Sequence, residues 1–147
     1  MELHTIIIGN VKTYKLNSSV PIRVDRTSPL GNPYMMHKEE DRDKVCDKYD
    51  YMFWRKIKEY IRFINYFGAG NVNKDDLFIN ELKYIYYTAL NNDVTLLCWC
   101  SPLRCHARTI RKFIIMLLMT SEIVGANFDL ALMRAVGENA ELQNRTV

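Results

Sequence analysis

The sequence has little excess charge and no long apolar run, and each of these shortages argues against a class of function. Lysine and arginine number 20 against 17 aspartates and glutamates in 147 residues, so the net charge of +3 gives no general attraction for a nucleic acid backbone. The longest wholly apolar run, from Phe113 to Met119, is too short to cross a bilayer. The N-terminus lacks the basic and apolar regions of a secretory signal, so we expect a cytoplasmic protein without a membrane partner.

Repeats, low-complexity tracts and linkers are also missing, which favours one domain over residues 1–147. Apolar runs predict strands at 5–8, 22–24 and 94–100, and helical spacing predicts helices at 41–67, 75–91, 105–122 and 128–143. Strands that alternate with helices predict the α/β class, here a compact domain with a small parallel or mixed sheet, Rossmann-like, packed by about four helices. The third strand is apolar almost throughout, which is typical of an interior strand.

The first segment rich in reactive groups follows the second predicted strand and reads RVDRTSPLGNP at 23–33. Residues 28–31 have turn chemistry, and two arginines beside a stiff turn suit an anionic or hydroxyl-rich ligand. Asp25 is a candidate catalytic acid or base. A rigid surface loop with a structural Arg–Asp pair is the alternative interpretation. The ligand-binding candidates of this segment are Arg23, Arg26, Ser28, Gly31 and Asn32.

The second segment reads LLCWCSPLRCHAR at 96–108 and holds three of the four cysteines and one of the three histidines in the chain. Cys105 and His106 fall at a predicted helix start, where free N–H groups and the positive end of the helix dipole favour a thiolate or a phosphate. Both are candidate catalytic residues. The ligand-binding candidates of this segment are Cys100, Arg104 and Arg108.

The same cysteines raise the question of a zinc site. Cys98, Cys100, Cys105 and His106 are ligand types that zinc accepts. Their spacing differs from the usual paired ligands, and adjacent Cys105 and His106 rarely bind one ion together. We therefore predict no metal ligands, identify no cofactor, and interpret Cys98 as a buried strand residue.

Three motifs resemble the family catalogued as domain of unknown function 4326: RVDRTSPLGNP at 23–33, RDKVCDKY at 42–49 and LCWCSPLRCH at 97–106. The resemblance covers about residues 22–113 and leaves out the first strand and a helical tail at about 127–143. Where that family usually has glycine after Cys-His, this chain has Ala107. Members of the family occur in bacteria and their phages, so the resemblance implies a phage-related protein, acting in host cytoplasm if phage-encoded, and it assigns no activity.

Convergence of the two segments at one sheet edge predicts a domain that binds a nucleotide, nucleoside or modified base, with glycosidic or phosphoryl bond chemistry as a further hypothesis. Two alternatives stay open. One is a phage protein that binds a host protein and inhibits or redirects it, and the other is a metal-stapled nucleic-acid-binding module. The apolar run at 114–119 covers more than one helix face, which favours either a central helix or a homodimer.

Overall fold

A computed structural model describes residues 4–145, with side chains placed for residues 4–137. The strands are β1 (Ile6–Asn10), β2 (Val20–Arg23) and β3 (Val94–Cys98). The helices are α1 (Arg42–Phe67), α2 (Leu77–Ala89), α3 (Ala107–Val124) and α4 (Phe128–Arg145), and a short 3-10 helix, Glu39–Asp41, precedes α1. The predicted α/β class with four helices is confirmed.

The sheet is parallel and has the order β1-β3-β2. Val94, the first residue of β3, pairs with Ile6 on one side and Val20 on the other, so all three strands end at one edge. Every residue of β3 is buried, which confirms the interior position predicted from its apolar composition. The carboxyl edge of this sheet is therefore the place where the segments after β2 and β3 meet.

Aromatic side chains join the helices into one core. Phe53 of α1 contacts Phe78 of α2 and Phe113 of α3 edge to face, with ring centroids 5.4 and 5.2 Å apart. Such contacts add to the stabilisation that burial provides. Asp129 of α4 is buried and accepts hydrogen bonds from the Tyr60 hydroxyl and from a backbone N–H of the segment after α1. The core thus fixes the start of α3 against α1.

Most element boundaries differ from the sequence prediction by one or two residues, and two of these differences shape the carboxyl edge of the sheet. β3 ends at Cys98 rather than at residue 100, because the chain turns there and the Leu103 N–H donates to the Cys100 carbonyl at 2.8 Å. α3 begins at Ala107, so Cys105 and His106 precede the helix instead of forming its first turn. Together they leave residues 99–106 as a loop above the sheet.

Most of the apolar surface of α3 is covered within the chain. Ile114, Leu117 and Leu118 are buried, and α3 packs against α2, α4 and the sheet. Met119 and Ile123 are 57% and 72% exposed, and the homodimer stays a prediction. No single described helix is long and apolar enough to cross a membrane, although Ala107–Val124 and Phe128–Gly137, bent by 102°, meet that criterion when taken together.

Gly31 lies where the segment at 23–33 folds back closely on its own backbone. A Cβ atom at Gly31 would lie 2.6 Å from both the Arg26 Cα and the Asp25 carbonyl oxygen. Since backbone cannot yield cheaply, we expect Gly31→Ala to lower the free energy of unfolding by about 2 kcal/mol in urea denaturation. Gly137→Ala, whose Cβ meets nothing within 4 Å, is the matched control and should be neutral or slightly stabilising. Equal effects of the two substitutions would contradict this packing.

Candidate functional site

The two segments singled out in the sequence meet in one cleft of about 490 Å³ at the carboxyl edge of the sheet. The start of α1 forms a third wall. The candidate catalytic residues that line the cleft are Asp25, Cys105 and His106. The candidate ligand-binding residues that line it are Arg23, Arg26, Asn32, Cys100 and Arg104.

Three of the candidate ligand-binding residues lie outside this lining. Ser28 and Gly31 build the turn: the Ser28 carbonyl accepts from the Gly31 N–H at 3.0 Å, and the Ser28 Oγ accepts from the Leu30 N–H at 3.1 Å. Arg108 belongs to a different surface, which it shares with Arg111 and residues of β1. His106 and Arg108, on either side of the first residue of α3, thus face different sides of the molecule.

Asp25 joins the two segments through its carboxylate. Its Oδ2 accepts from the Trp99 Nε1–H at 2.8 Å and from the Arg23 guanidinium, and its Oδ1 accepts from the Thr27 hydroxyl at 2.6 Å. Burial raises the pKa of Asp25, but the hydrogen bonds from Arg23, Thr27 and Trp99 outweigh it and lower the pKa to about 2. The carboxylate is therefore ionised at neutral pH, and its acceptor sites are already used.

His106 occupies the base of the cleft as a neutral imidazole. Its Nε2 is bonded to the Val24 carbonyl, so Nε2 carries the proton and Nδ1 carries the free lone pair. Burial lowers the pKa of His106, and the bond to Val24 opposes that effect only in part. Tyr49 fixes the ring by an edge contact at 4.9 Å, and its hydroxyl donates to the Leu30 carbonyl at 2.7 Å.

The Nδ1 atom of His106 is partly accessible from the cleft. Among the described residues no fully buried side-chain nitrogen or oxygen lacks a partner, and Nδ1 has no partner there. The atom is therefore not fully buried, although His106 as a whole is only 8% exposed, and His106 lines the cleft. This nitrogen can accept a hydrogen bond or a proton from a bound molecule.

The arginines of the cleft divide into two kinds. Arg42 binds Glu39 and the Arg104 carbonyl, and the Arg104 guanidinium binds the acidic side chains of α1. These two tie α1 to the loop at 99–106. Arg23 and Arg26 instead each use Nε and one terminal nitrogen, which leaves their second terminal nitrogen without a partner in the described part of the chain.

Several cleft residues were not singled out as site residues in the sequence, and one of them, Trp99, is 58% exposed. Its indole N–H is fixed by Asp25, so an exposed aromatic face is held in one orientation. The sequence did contain one signal for Trp99 as a site residue, because this tryptophan directly follows a buried strand. The other cleft residues of this kind are Thr27, Tyr34, Met36, Arg42, Val45 and Cys46.

The cysteines and His106 do not form a metal cluster. Within residues 4–137 no group of three or more His, Cys, Asp or Glu side chains is placed to hold a metal ion. Cys98 and Cys105 lie together, whereas His106 is bonded to a backbone carbonyl. The described geometry therefore offers no support for a metal-stapled module.

The chain is thus a small α/β domain with a cleft and convergent polar groups at the carboxyl edge of a parallel sheet. Comparison with protein families makes this more specific. The family model described as Domain of unknown function (DUF4326) matches residues 10–115, and the chain belongs to that family. No curated protein and no solved structure shows significant similarity to the chain.

The Asp25 network predicts a pH-dependent difference in stability. The pKa of Asp25 is about 2 in the folded state and 3.8 ordinarily, so the unfolded chain binds the proton more readily between these values. We expect Asp25→Asn to lower the free energy of unfolding by about 2 kcal/mol at pH 7, and the deficit to shrink as the pH falls from about 4 to about 2. Urea denaturation at each pH measures it.

Asp75→Asn, at an exposed carboxylate, is the matched control for that experiment. It should change the free energy of unfolding by less than about 0.5 kcal/mol throughout. A constant difference between wild type and Asp25→Asn across pH 2–7 would contradict the role given to the Asp25 charge.

Proposed function

We propose that the cleft binds a nucleotide or a related phosphorylated nucleoside. The observation that carries this proposal is the pairing of an oriented, exposed tryptophan face with two incompletely used arginines in a single cleft. An aromatic face stacks on a nucleobase, and guanidinium groups bind phosphate. The base and the phosphate of such a ligand therefore each have a matching group in the cleft.

The base-binding part of the proposal rests on Trp99. Its indole N–H is already bonded to Asp25, so the ring does not rotate freely and keeps its face available. Tyr34 and Met36 add apolar surface to the same cleft. A fixed platform loses little entropy when a base stacks on it, which favours binding.

The phosphate-binding part rests on Arg23 and Arg26. Both flank Asp25, whose negative charge is buried and compensated by Arg23 and by neutral donors. Arg26 is held by the carbonyls of Asn32 and Tyr34 at 3.1 and 3.2 Å. These contacts restrict the side chain while one guanidinium nitrogen stays available, so an anion gains a preorganised donor.

Calorimetric titration with AMP, GMP, CMP and UMP, beside adenosine and inorganic phosphate, tests the proposal. We expect at least one nucleotide to bind more tightly than either the nucleoside or phosphate alone. Trp99→Ala should weaken that binding about tenfold or more because stacking is lost, whereas Trp99→Phe should retain part of it. Arg26→Gln should weaken nucleotide binding about tenfold and leave nucleoside binding unchanged.

Arg62→Gln is the matched control, since it removes the same charge from an exposed position more than four helical turns beyond the cleft residues of α1. It should leave nucleotide binding within about twofold of wild type. A correctly folded protein that gives no heat with any of the nucleotides would overturn the proposal.

Bond cleavage in the bound nucleotide is a second candidate function, favoured by the neutral His106. A neutral imidazole with an accessible Nδ1 is a suitable general base for activating water at a glycosidic or phosphoryl bond. Cys105 is the neighbouring candidate nucleophile from the sequence. Asp25 is already ionised and hydrogen-bonded, so in this proposal it positions Trp99 and Arg23 instead of transferring protons.

Incubation with each nucleotide, followed by chromatography for free base and assay of inorganic phosphate, tests cleavage. His106→Gln keeps an N–H donor for the Val24 carbonyl and removes the base, so we expect binding within a fewfold of wild type and turnover lower by about 100-fold or more. Because burial lowers the His106 pKa, the wild-type rate should be flat above pH 7 and fall only in acid. Nucleotide binding without any product would reject cleavage and leave the binding proposal intact.

The alternative of a phage protein that binds a host protein stays a prediction. The cleft favours a small ligand because its polar groups converge on one concave volume instead of spreading over a flat surface. A host partner whose capture persists in Trp99→Ala and Arg26→Gln would favour that alternative.

A further inference from the structure

Two of the four free cysteines form a close pair beneath the cleft. The Cys98 and Cys105 Sγ atoms lie 2.9 Å apart, one at the end of β3 and the other just before α3. Cys46 and Cys100 also line the cleft, but neither has such a contact with another thiol in the described part of the chain. The loop at 99–104 turns back on itself, so the sulfur at the end of β3 lies next to the sulfur just before α3.

We propose that Cys98 and Cys105 are a disulfide-forming modification site, oxidised by a small peroxide that enters through the cleft. Cys105 lines the cleft and Cys98 lies directly behind it, so a molecule the size of hydrogen peroxide has a route to the pair. The proposal does not depend on the identity of the cleft's ligand, and it stands or falls separately from nucleotide binding.

The surroundings of Cys98 favour a thiolate within the pair. The hydrogen bond from Cys105 lowers the pKa of Cys98 to about 6 against the effect of burial, and backbone N–H groups of Cys100 and Ser101 lower it further. The same bond, together with burial, raises the pKa of Cys105. Cys98 is therefore the first of the two thiols to ionise, with the Cys105 proton shared between the two sulfurs, and the thiolate is the form that reacts with a peroxide.

The chemistry balances with one peroxide for each pair. A thiolate of the pair attacks one peroxide oxygen, the O–O bond breaks, and the departing hydroxide takes a proton to become water, leaving a sulfenic acid. The second sulfur, as its thiolate, then attacks the sulfenic sulfur, the S–O bond breaks, and the departing hydroxide takes a proton from solvent to leave as a second water. The sulfurs are oxidised by two electrons in total, and both peroxide oxygens are reduced to water.

Disulfide formation would act directly on the candidate site. It consumes the shared proton and the thiolate charge, and it links the end of β3 covalently to the residue before His106. The sulfurs need to approach from 2.9 Å to about 2.0 Å, so the surrounding fold requires only a small local adjustment. The Ala107 N–H, which now donates to the Cys105 Sγ at 3.3 Å, lies at the same junction.

Peptide mapping of the full chain tests the proposal. The reduced protein is treated with one equivalent of hydrogen peroxide, free thiols are blocked with N-ethylmaleimide, and a non-reducing tryptic digest is analysed by mass spectrometry. Trypsin cuts between the two cysteines, after Arg104, so a disulfide joins peptide 105–108 to peptide 84–104. We expect that linked pair, two hydrogens lighter than the separate peptides apart from one N-ethylmaleimide on the remaining cysteine of peptide 84–104, and its loss on treatment with dithiothreitol.

Single variants assign the partner within peptide 84–104, which also contains Cys100. The linked pair should form in Cys100→Ser and Cys46→Ser and be absent in Cys98→Ser. If Cys98→Ser does not fold, fragmentation of the wild-type linked pair assigns the bond to Cys98 or Cys100 instead. A bond from Cys105 to Cys100 or Cys46, or complete N-ethylmaleimide labelling of Cys98 and Cys105 after peroxide, would overturn the proposal.

Discussion

The Asp25 carboxylate is buried between the two loops that form the cleft, and hydrogen bonds from both loops keep it ionised. Arg23 and Thr27 donate from its own segment, and Trp99 donates from the segment after β3. A buried charge without these donors would be costly, so the carboxylate holds the loops in one relative position. Trp99 orientation, Arg23 placement and the depth of the cleft all depend on this arrangement.

Some polar side chains of the cleft form hydrogen bonds that hold its walls together, and others keep one nitrogen without a partner among the described residues. Arg42, Arg104 and Tyr49 use their polar atoms to join α1 to the loops, whereas Arg26 and His106 each keep one nitrogen for a bound molecule. The cleft wall is therefore held in place around the groups that the proposed ligand would contact. Rigid, incompletely satisfied donors and acceptors are what a preorganised binding site requires. The proposed functions use only the available groups.

The fold was largely predictable because each element carries a clear pattern, and the almost wholly apolar sequence of β3 predicted its central position. The site was predictable only in part. That the two loops would meet follows from parallel strands ending at one edge, but the direction of each side chain does not. Arg108 and His106 are two residues apart and face different sides, and Trp99 enters the cleft only because β3 ends at Cys98. The pairing of Arg104 with α1 depends on tertiary contacts that local patterns do not encode.

A crystal structure of the chain with the nucleotide that binds most tightly tests the central claim most directly. The account predicts the base against the Trp99 ring, the phosphate beside Arg23 and Arg26, and the bond from the Trp99 indole to Asp25 intact. A nucleotide bound on the surface around Arg108 and Arg111, with the cleft holding only solvent, would contradict it.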